Sequence, residues 1–154
     1  MNGNTDTLSL LLTAGADVNY ANEYGWTPLY MAAGKGHSEC VKLLLVAPDI
    51  DVNKANKEYG WTPLYNAASD GHTECVKLLL SAPGIDVNKA DKDDRTPLWV
   101  AAGEGHSECV KLLLAAPGID VNKETNYGST PLKKAESEGK SECARLIREA
   151  GGKE

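Results

Sequence analysis

Apolar positions along the chain fall into short sets at helical spacing, separated by polar turns. Leu29, Ala32 and Ala33 share one face of a helix opened by Thr27 and Pro28. The threonine hydroxyl can cap free backbone N–H groups, and proline tolerates the first helical position. Gly36 ends that helix, because glycine adopts the left-handed C-terminal conformation cheaply. Cys40, Val41, Leu44 and Leu45 then predict a second helix over about residues 38–47 with these side chains inward, which Pro48 stops. Glu39 and Lys42 form a weakly stabilising pair on its polar side. Residues 49–59 are rich in turn formers and make a polar loop.

This pattern recurs. Thr-Pro-Leu begins at Thr27, Thr62, Thr96 and Thr130, spaced 35, 34 and 34 residues, and Cys40, Cys75, Cys109 and Cys143 keep the same beat. Asp-Val-Asn begins at Asp17, Asp51, Asp86 and Asp120. Segments 25–55 and 60–90 differ at only six of 31 positions. Two helices this short cannot bury an apolar face alone, but stacked on copies of themselves they can, so the chain must form an elongated, one-dimensional solenoid. The paired alanines Ala32-Ala33, Ala67-Ala68 and Ala101-Ala102 suit close helix approach.

The run Gly-Trp-Thr-Pro-Leu-Tyr-x-Ala-Ala-x-x-Gly-His-x-Glu-Cys-Val-Lys-Leu-Leu-Leu, closed by Asp-Val-Asn, resembles the ankyrin repeat over nearly the whole chain. The resemblance implies an all-α fold of helix-turn-helix units: an N-terminal half repeat over 1–24, full repeats over 25–59, 60–93 and 94–127, and a C-terminal capping repeat over 128–154. It departs from the family's pattern in four ways. Tyr30, Tyr65, Trp99 and Lys133 stand where histidine is usual, and cysteine stands early in every second helix. The loop Ala-Pro-x-Ile-Asp-Val-Asn is one residue longer than Gly-Ala-Asp-Val-Asn, which survives only at 15–19. In the half repeat, Leu8–Ala14 supplies a second helix, while Met1–Asp6 is too short and polar for a first. The charges of the last unit read as the solvated face of a cap.

Composition narrows the functions. The chain has 154 residues, suiting one domain, with 42% hydrophobic and 25% charged residues. Sixteen basic against 22 acidic residues give a net charge of −6, which argues against nucleic-acid binding. No apolar run approaches the roughly 20 residues of a membrane span, and the N-terminus lacks signal-peptide features.

His37/Cys40, His72/Cys75 and His106/Cys109 stand at His-x-x-Cys spacing, the arrangement of a metal site or an activated thiol. One repeat supplies two ligands where zinc needs four, and helices stacked about 8–10 Å apart cannot share them. The structural reading is preferred: buried cysteines, and histidines that by resemblance bond the backbone of the neighbouring turn. No metal, cofactor or catalytic activity is expected. Disulfides fail on the same spacing, so four free buried thiols point to a reducing, cytoplasmic compartment. Leu-x5-Asp-Val-Asn ends at Asn19, Asn53, Asn88 and Asn122 and is similar to sites that an asparaginyl hydroxylase modifies in ankyrin repeats, with structural turn asparagines the preferred reading.

The resemblance implies a protein partner held on the concave side by turn tips and first helices, where otherwise identical units differ. Carried over by position, the candidates are Tyr24, Trp26 and Lys35; Tyr59, Trp61 and Asp70; Lys92, Asp93, Arg95 and Glu104; and Tyr127. Rigid aromatics are the usual anchors of protein interfaces. The alternative is that these rings only shield the turns, and that the chain is an engineered or structural scaffold with no natural ligand. Weak self-association through the apolar half repeat is a further expectation.

Overall fold

The structure is a computed structural model that describes residues 3–154. Among the described residues there are nine helices and no strand: α1 (Gly3–Thr13), α2 (Pro28–Gly34), α3 (Ser38–Leu45), α4 (Pro63–Ser69), α5 (Thr73–Leu80), α6 (Pro97–Glu104), α7 (Ser107–Leu114), α8 (Pro131–Ser137) and α9 (Ser141–Glu149). Each first helix pairs with the second helix of its own unit. First helices stack α2 on α4 on α6 on α8, and second helices stack α1 on α3 on α5 on α7 on α9.

The start signals act as their chemistry requires. Thr27, Thr62, Thr96 and Thr130 each accept the backbone N–H three residues on, at 3.1 to 3.2 Å, and proline follows each of them. Leu29, Leu64, Leu98 and Leu132 enter the core, joined by Val41, Val76 and Val110 from the second helices. The second helix of the first full unit stops at Leu45, two residues before the predicted end, with Ala47 N–H turned onto the Leu44 carbonyl.

The half repeat corrects one expectation. Its helix begins at Gly3, not Leu8, so residues 3–6 lengthen the second helix. Asp6 in the first turn suits the positive end of the helix dipole. Leu11, Leu44, Leu79 and Leu113 hold matching places in α1, α3, α5 and α7, yet Leu11 is 53% exposed while the other three are at most 1% exposed.

Each unit is tied to the next by an asparagine. Asn19, Asn53 and Asn88 donate to the carbonyls of Asp49, Gly84 and Gly118, at 2.6 to 2.7 Å. Their amide oxygens accept from the N–H groups of Asp51, Asp86 and Asp120. At the C-terminal end the tail takes the place of a next loop. Asn122 donates to the Gly151 carbonyl at 3.2 Å and accepts Lys153 N–H at 2.7 Å, while the Thr130 hydroxyl donates to the Lys153 carbonyl.

Histidine supplies a second tie. The ring Nε2 of His72 donates to the Gly34 carbonyl at 3.1 Å, and that of His106 to the Ser69 carbonyl at 3.0 Å. A side chain at Gly36 would sit 2.7 Å from His72 Nδ1, and its φ of 70° also favours glycine. His37 is exposed, because the unit before it has no first helix among the described residues to supply that carbonyl.

Candidate protein-binding surface

Each turn tip is organised by one short polar side chain. The Asn22 amide oxygen accepts the N–H groups of Tyr24 and Trp26 at 3.1 and 3.0 Å. Asn56 does the same for Tyr59 and Trp61, Asp91 for Asp93 and Arg95, and the Thr125 hydroxyl for Tyr127 and Ser129. Asn56 is followed by Lys57, Glu58 and Tyr59 where Asn22 is followed by Glu23 and Tyr24, so the 35-residue spacing arises from one extra residue in the second tip. Neighbouring tips join through backbone bonds: Lys57 N–H to the Tyr24 carbonyl, Lys92 to Tyr59 and Asn126 to Asp93, at 3.0 to 3.1 Å.

On this frame the rings stack. Trp26 lies between Tyr24 and Tyr30, with centroids 5.2 and 6.4 Å away. Trp61 lies between Tyr59 and Tyr65, at 4.7 and 5.4 Å. Tyr30 and Tyr65 are buried packing residues, whereas Tyr24 is 51% and Tyr59 44% exposed. Trp26 is at the edge of exposure and Trp61 is half-buried. Each stack therefore shields its turn at the inner ring and presents apolar surface at the outer one. Burial pushes the Tyr65 hydroxyl well above the ordinary tyrosine pKa, helped by Asp91. Glu58 raises that of Tyr59. Tyr127, at 83% exposure, is the most open of the large apolar side chains described.

The third tip is built by charge. The Arg95 guanidinium lies 2.7 Å from the fully buried Asp91 carboxylate and 3.1 Å from Asp93. Asp91 also accepts the Trp61 indole N–H from the preceding unit at 3.2 Å. Burial works against the Arg95 charge, but the Asp91 hydrogen bond and the nearby anionic groups more than offset it, leaving its pKa raised. Arg95 and Lys134 both lie over the Trp99 ring, 5.9 and 4.8 Å from its centroid. Arg95 and Asp93 are thus held by their own chain, and Lys92 donates to the Lys57 carbonyl at 2.7 Å. Lys35, Asp70 and Glu104 sit exposed at the C-terminal ends of α2, α4 and α6.

Asn22, Asn56, Asp91 and Thr125 are the residues missed by sequence reasoning. The signal available was a short polar residue five or six positions before every Thr-Pro-Leu.

The four cysteines are unpaired. Cys75, Cys109 and Cys143 are buried, and burial raises their pKa values. Cys40 departs from expectation and is only half-buried, since the unit stacked against it supplies a single helix among the described residues. Among the described residues no three of His, Cys, Asp and Glu converge as a metal site. An open groove of about 550 Å³ lies between the half repeat and α3, lined by Leu12, Val18, Leu43 and Val46 among others. No described helix is long and apolar enough to cross a membrane.

Comparison with known proteins agrees with this architecture. The family description "Ankyrin repeats (3 copies)" matches residues 1–91 and 84–153. Cortactin-binding protein 2 of Oryctolagus cuniculus is 50% identical over 56 residues, which is 36% of this chain and 3% of that protein. The protein of that name in Equus caballus is 48% identical over 56 residues, again 36% and 3%. In Aotus nancymaae the figure is 52% over 46 residues, 29% of this chain and 3% of the relative. The chain thus spans about 3% of the length of these relatives. Helix pairs, inter-unit asparagine ties and a profile match over nearly every residue make the same assignment: the chain belongs to the ankyrin repeat family, whose members are non-catalytic interaction modules.

Proposed function

We propose that this chain is a non-catalytic module that binds a protein partner along the row of turn tips and the adjoining ends of the first helices. The observation that carries the reading is the pair of outer rings, Tyr24 and Tyr59, exposed on tips whose backbones are tied together. Large rings held rigid contribute contact area at little entropic cost. Trp26 and Tyr127 extend the apolar row, while Lys35, Asp70 and Glu104 supply charge that sets orientation more than affinity. Trp61, Asp93 and Arg95 serve this surface chiefly by shaping it, because their polar groups are engaged within the chain. Lys92 is exposed, with its ammonium held on the Lys57 carbonyl.

The relatives' name assigns them cortactin as partner. Only 3% of their length is shared, so the property carried over is protein recognition and not that partner. Four unpaired thiols support a reducing, cytoplasmic setting.

The test is partner capture with two paired variants. Tyr24→Ala with Tyr59→Ala should lose a partner that wild type retains; Lys77→Ala with Lys111→Ala, on the second helices, should keep it. Both must first melt like wild type. The opposite ranking would move the surface to the second helices. Indifference of every captured partner to the tip pair would favour a scaffold without a ligand.

A further inference from the structure

Resting on the protein-recognition reading above, we propose that the partner of the tip row is a basic segment, whose Lys or Arg side chains seat on the aromatic faces of the first two tips between exposed carboxylates. The third tip displays the same chemistry inside the chain. Arg95 holds the position that Trp26 and Trp61 hold in the earlier units, and its guanidinium lies over Trp99. Lys134 of the last unit brings a second cation to that ring, 4.8 Å from the centroid. Cations are drawn to the negative face of such rings.

Among the described residues no cation lies over the rings of the first two units. The residues matching Lys134 are Asn66, whose amide donates to the Tyr30 carbonyl, and Val100. The rings there stack on one another, and Tyr24 and Tyr59 remain open at the outer end.

Charge around these rings has the matching sign. Glu23 and Glu58 adjoin the two tyrosines, and Asp70 and Glu104 stand exposed at the ends of α4 and α6. Of the opposing charge, Arg95 is neutralised by Asp91 and Asp93, while Lys92 keeps its charge in solvent with its ammonium on the Lys57 carbonyl. Lys35, Lys57 and Lys92 are the exposed cations of this surface. They exclude a uniformly basic partner and require its cations at the ring positions. A segment with basic residues spaced by small or apolar ones fits this pattern.

The experiment titrates the isotopically labelled full chain with three end-blocked synthetic peptides. One alternates Arg or Lys with Leu and Ser; in the others Gln or Glu replaces every basic residue. The indole N–H resonances of Trp26, Trp61 and Trp99 are followed. The basic peptide should shift Trp26 and Trp61 and bind about tenfold tighter than the Gln peptide, with an affinity that falls as salt screens the charges. Glu23→Gln with Glu58→Gln should weaken it about threefold or more, the direction expected when complementary charge is removed. Glu74→Gln with Glu108→Gln, on the second helices, should leave it unchanged. Equal binding of the Gln or Glu peptide, or dependence on Glu74 and Glu108 instead, overturns the proposal. A captured partner that needs Tyr24 and Tyr59 while the Gln peptide matches the basic one would sink this inference and leave protein recognition standing. No shift at the tips with any peptide, together with no tip-dependent partner, would remove both.

Discussion

The Asp91 carboxylate sits 3.2 Å from the indole N–H of Trp61 in the preceding unit and 2.7 Å from its own unit's Arg95 guanidinium. One buried side chain therefore sets the shape of the third tip and the orientation of the tryptophan before it.

Removing that anion alone leaves a partly buried guanidinium with only Asp93 as partner. Asp91→Ala should cost about 3 kcal/mol or more, as when one member of a buried pair is deleted. Asp91→Asn should cost less, because its amide oxygen can still accept the tip N–H groups as Asn56 does. Combining Asp91→Asn with Arg95→Trp recreates the first tip's pairing of Asn22 with Trp26, at the same spacing of four residues, and should recover most of the loss. A urea-unfolding double-mutant cycle measures the coupling; simple additivity would show that the pair is not a unit.

Thiol labelling should be biphasic. Cys40 is half-buried and should react first, whereas Cys75, Cys109 and Cys143 are buried, with pKa values raised by burial. The thiolate is the reactive form. In native buffer one equivalent should titrate quickly with a disulfide reagent and three only as the solenoid opens. Cys40→Ala should abolish the fast phase. The same raised pKa values predict that stability is full below the ordinary thiol pKa and declines as pH rises above about 9, where unfolded thiols ionise before folded ones.

Leu11 and Leu79 occupy matching places but should behave oppositely. Leu79→Ala empties a sealed core and should cost about 2–5 kcal/mol. Leu11→Glu, at a half-exposed site, should stay within about 1 kcal/mol, nearer the range of surface changes. Hydrogen exchange should find residues 7–13 less protected than 73–80. If protection of 7–13 rises with protein concentration and the rise vanishes in Leu11→Glu, the exposed half repeat is the site of self-association. Protection independent of concentration would rule that contact out.

Two aspartates hold backbone conformations that their counterparts give to glycine. Asp49 has φ 60° where Gly84 and Gly118 have 75° and 77°, and Asp94 has φ 59° where Gly25, Gly60 and Gly128 stand. A left-handed residue with a Cβ carries roughly 1–2 kcal/mol of strain, offset in part by glycine's greater unfolded-state entropy. Asp49→Gly and Asp94→Gly should therefore each stabilise by about 0.5–1 kcal/mol. Gly84→Asp is the reverse control and should destabilise by a similar amount.

The C-terminal tail should be part of the cooperative fold. Deleting residues 151–154 gives the Asn122 amide to water and takes the Lys153 carbonyl from the hydroxyl of the buried Thr130, at a cost of about 1–3 kcal/mol for the unsatisfied buried group. Gly152→Val should mimic the deletion, because a Cβ there would collide with Ile147 Cγ2 and lie 2.8 Å from its carbonyl oxygen. Equal melting of wild type, truncation and Gly152→Val would show the tail contributes nothing.

The repeat was legible in the sequence because each unit writes its own local physics. Thr-Pro sets a capped start, apolar residues at helical spacing set the buried face, and the 34-residue recurrence requires stacking. The aromatic tips could likewise be placed by position alone. What the sequence could not supply is which polar groups meet across units, since those partners lie about 30 residues apart and their encounter depends on how one unit sits on the next. Thus Asp91 beneath Trp61, the asparagine ties and the tail at Asn122 appear only in the fold. The exposure of Leu11 and Cys40 was hidden for the same reason. Their local patterns match those of buried counterparts, and burial depends on a neighbouring unit that in the half repeat supplies, among the described residues, one helix rather than two.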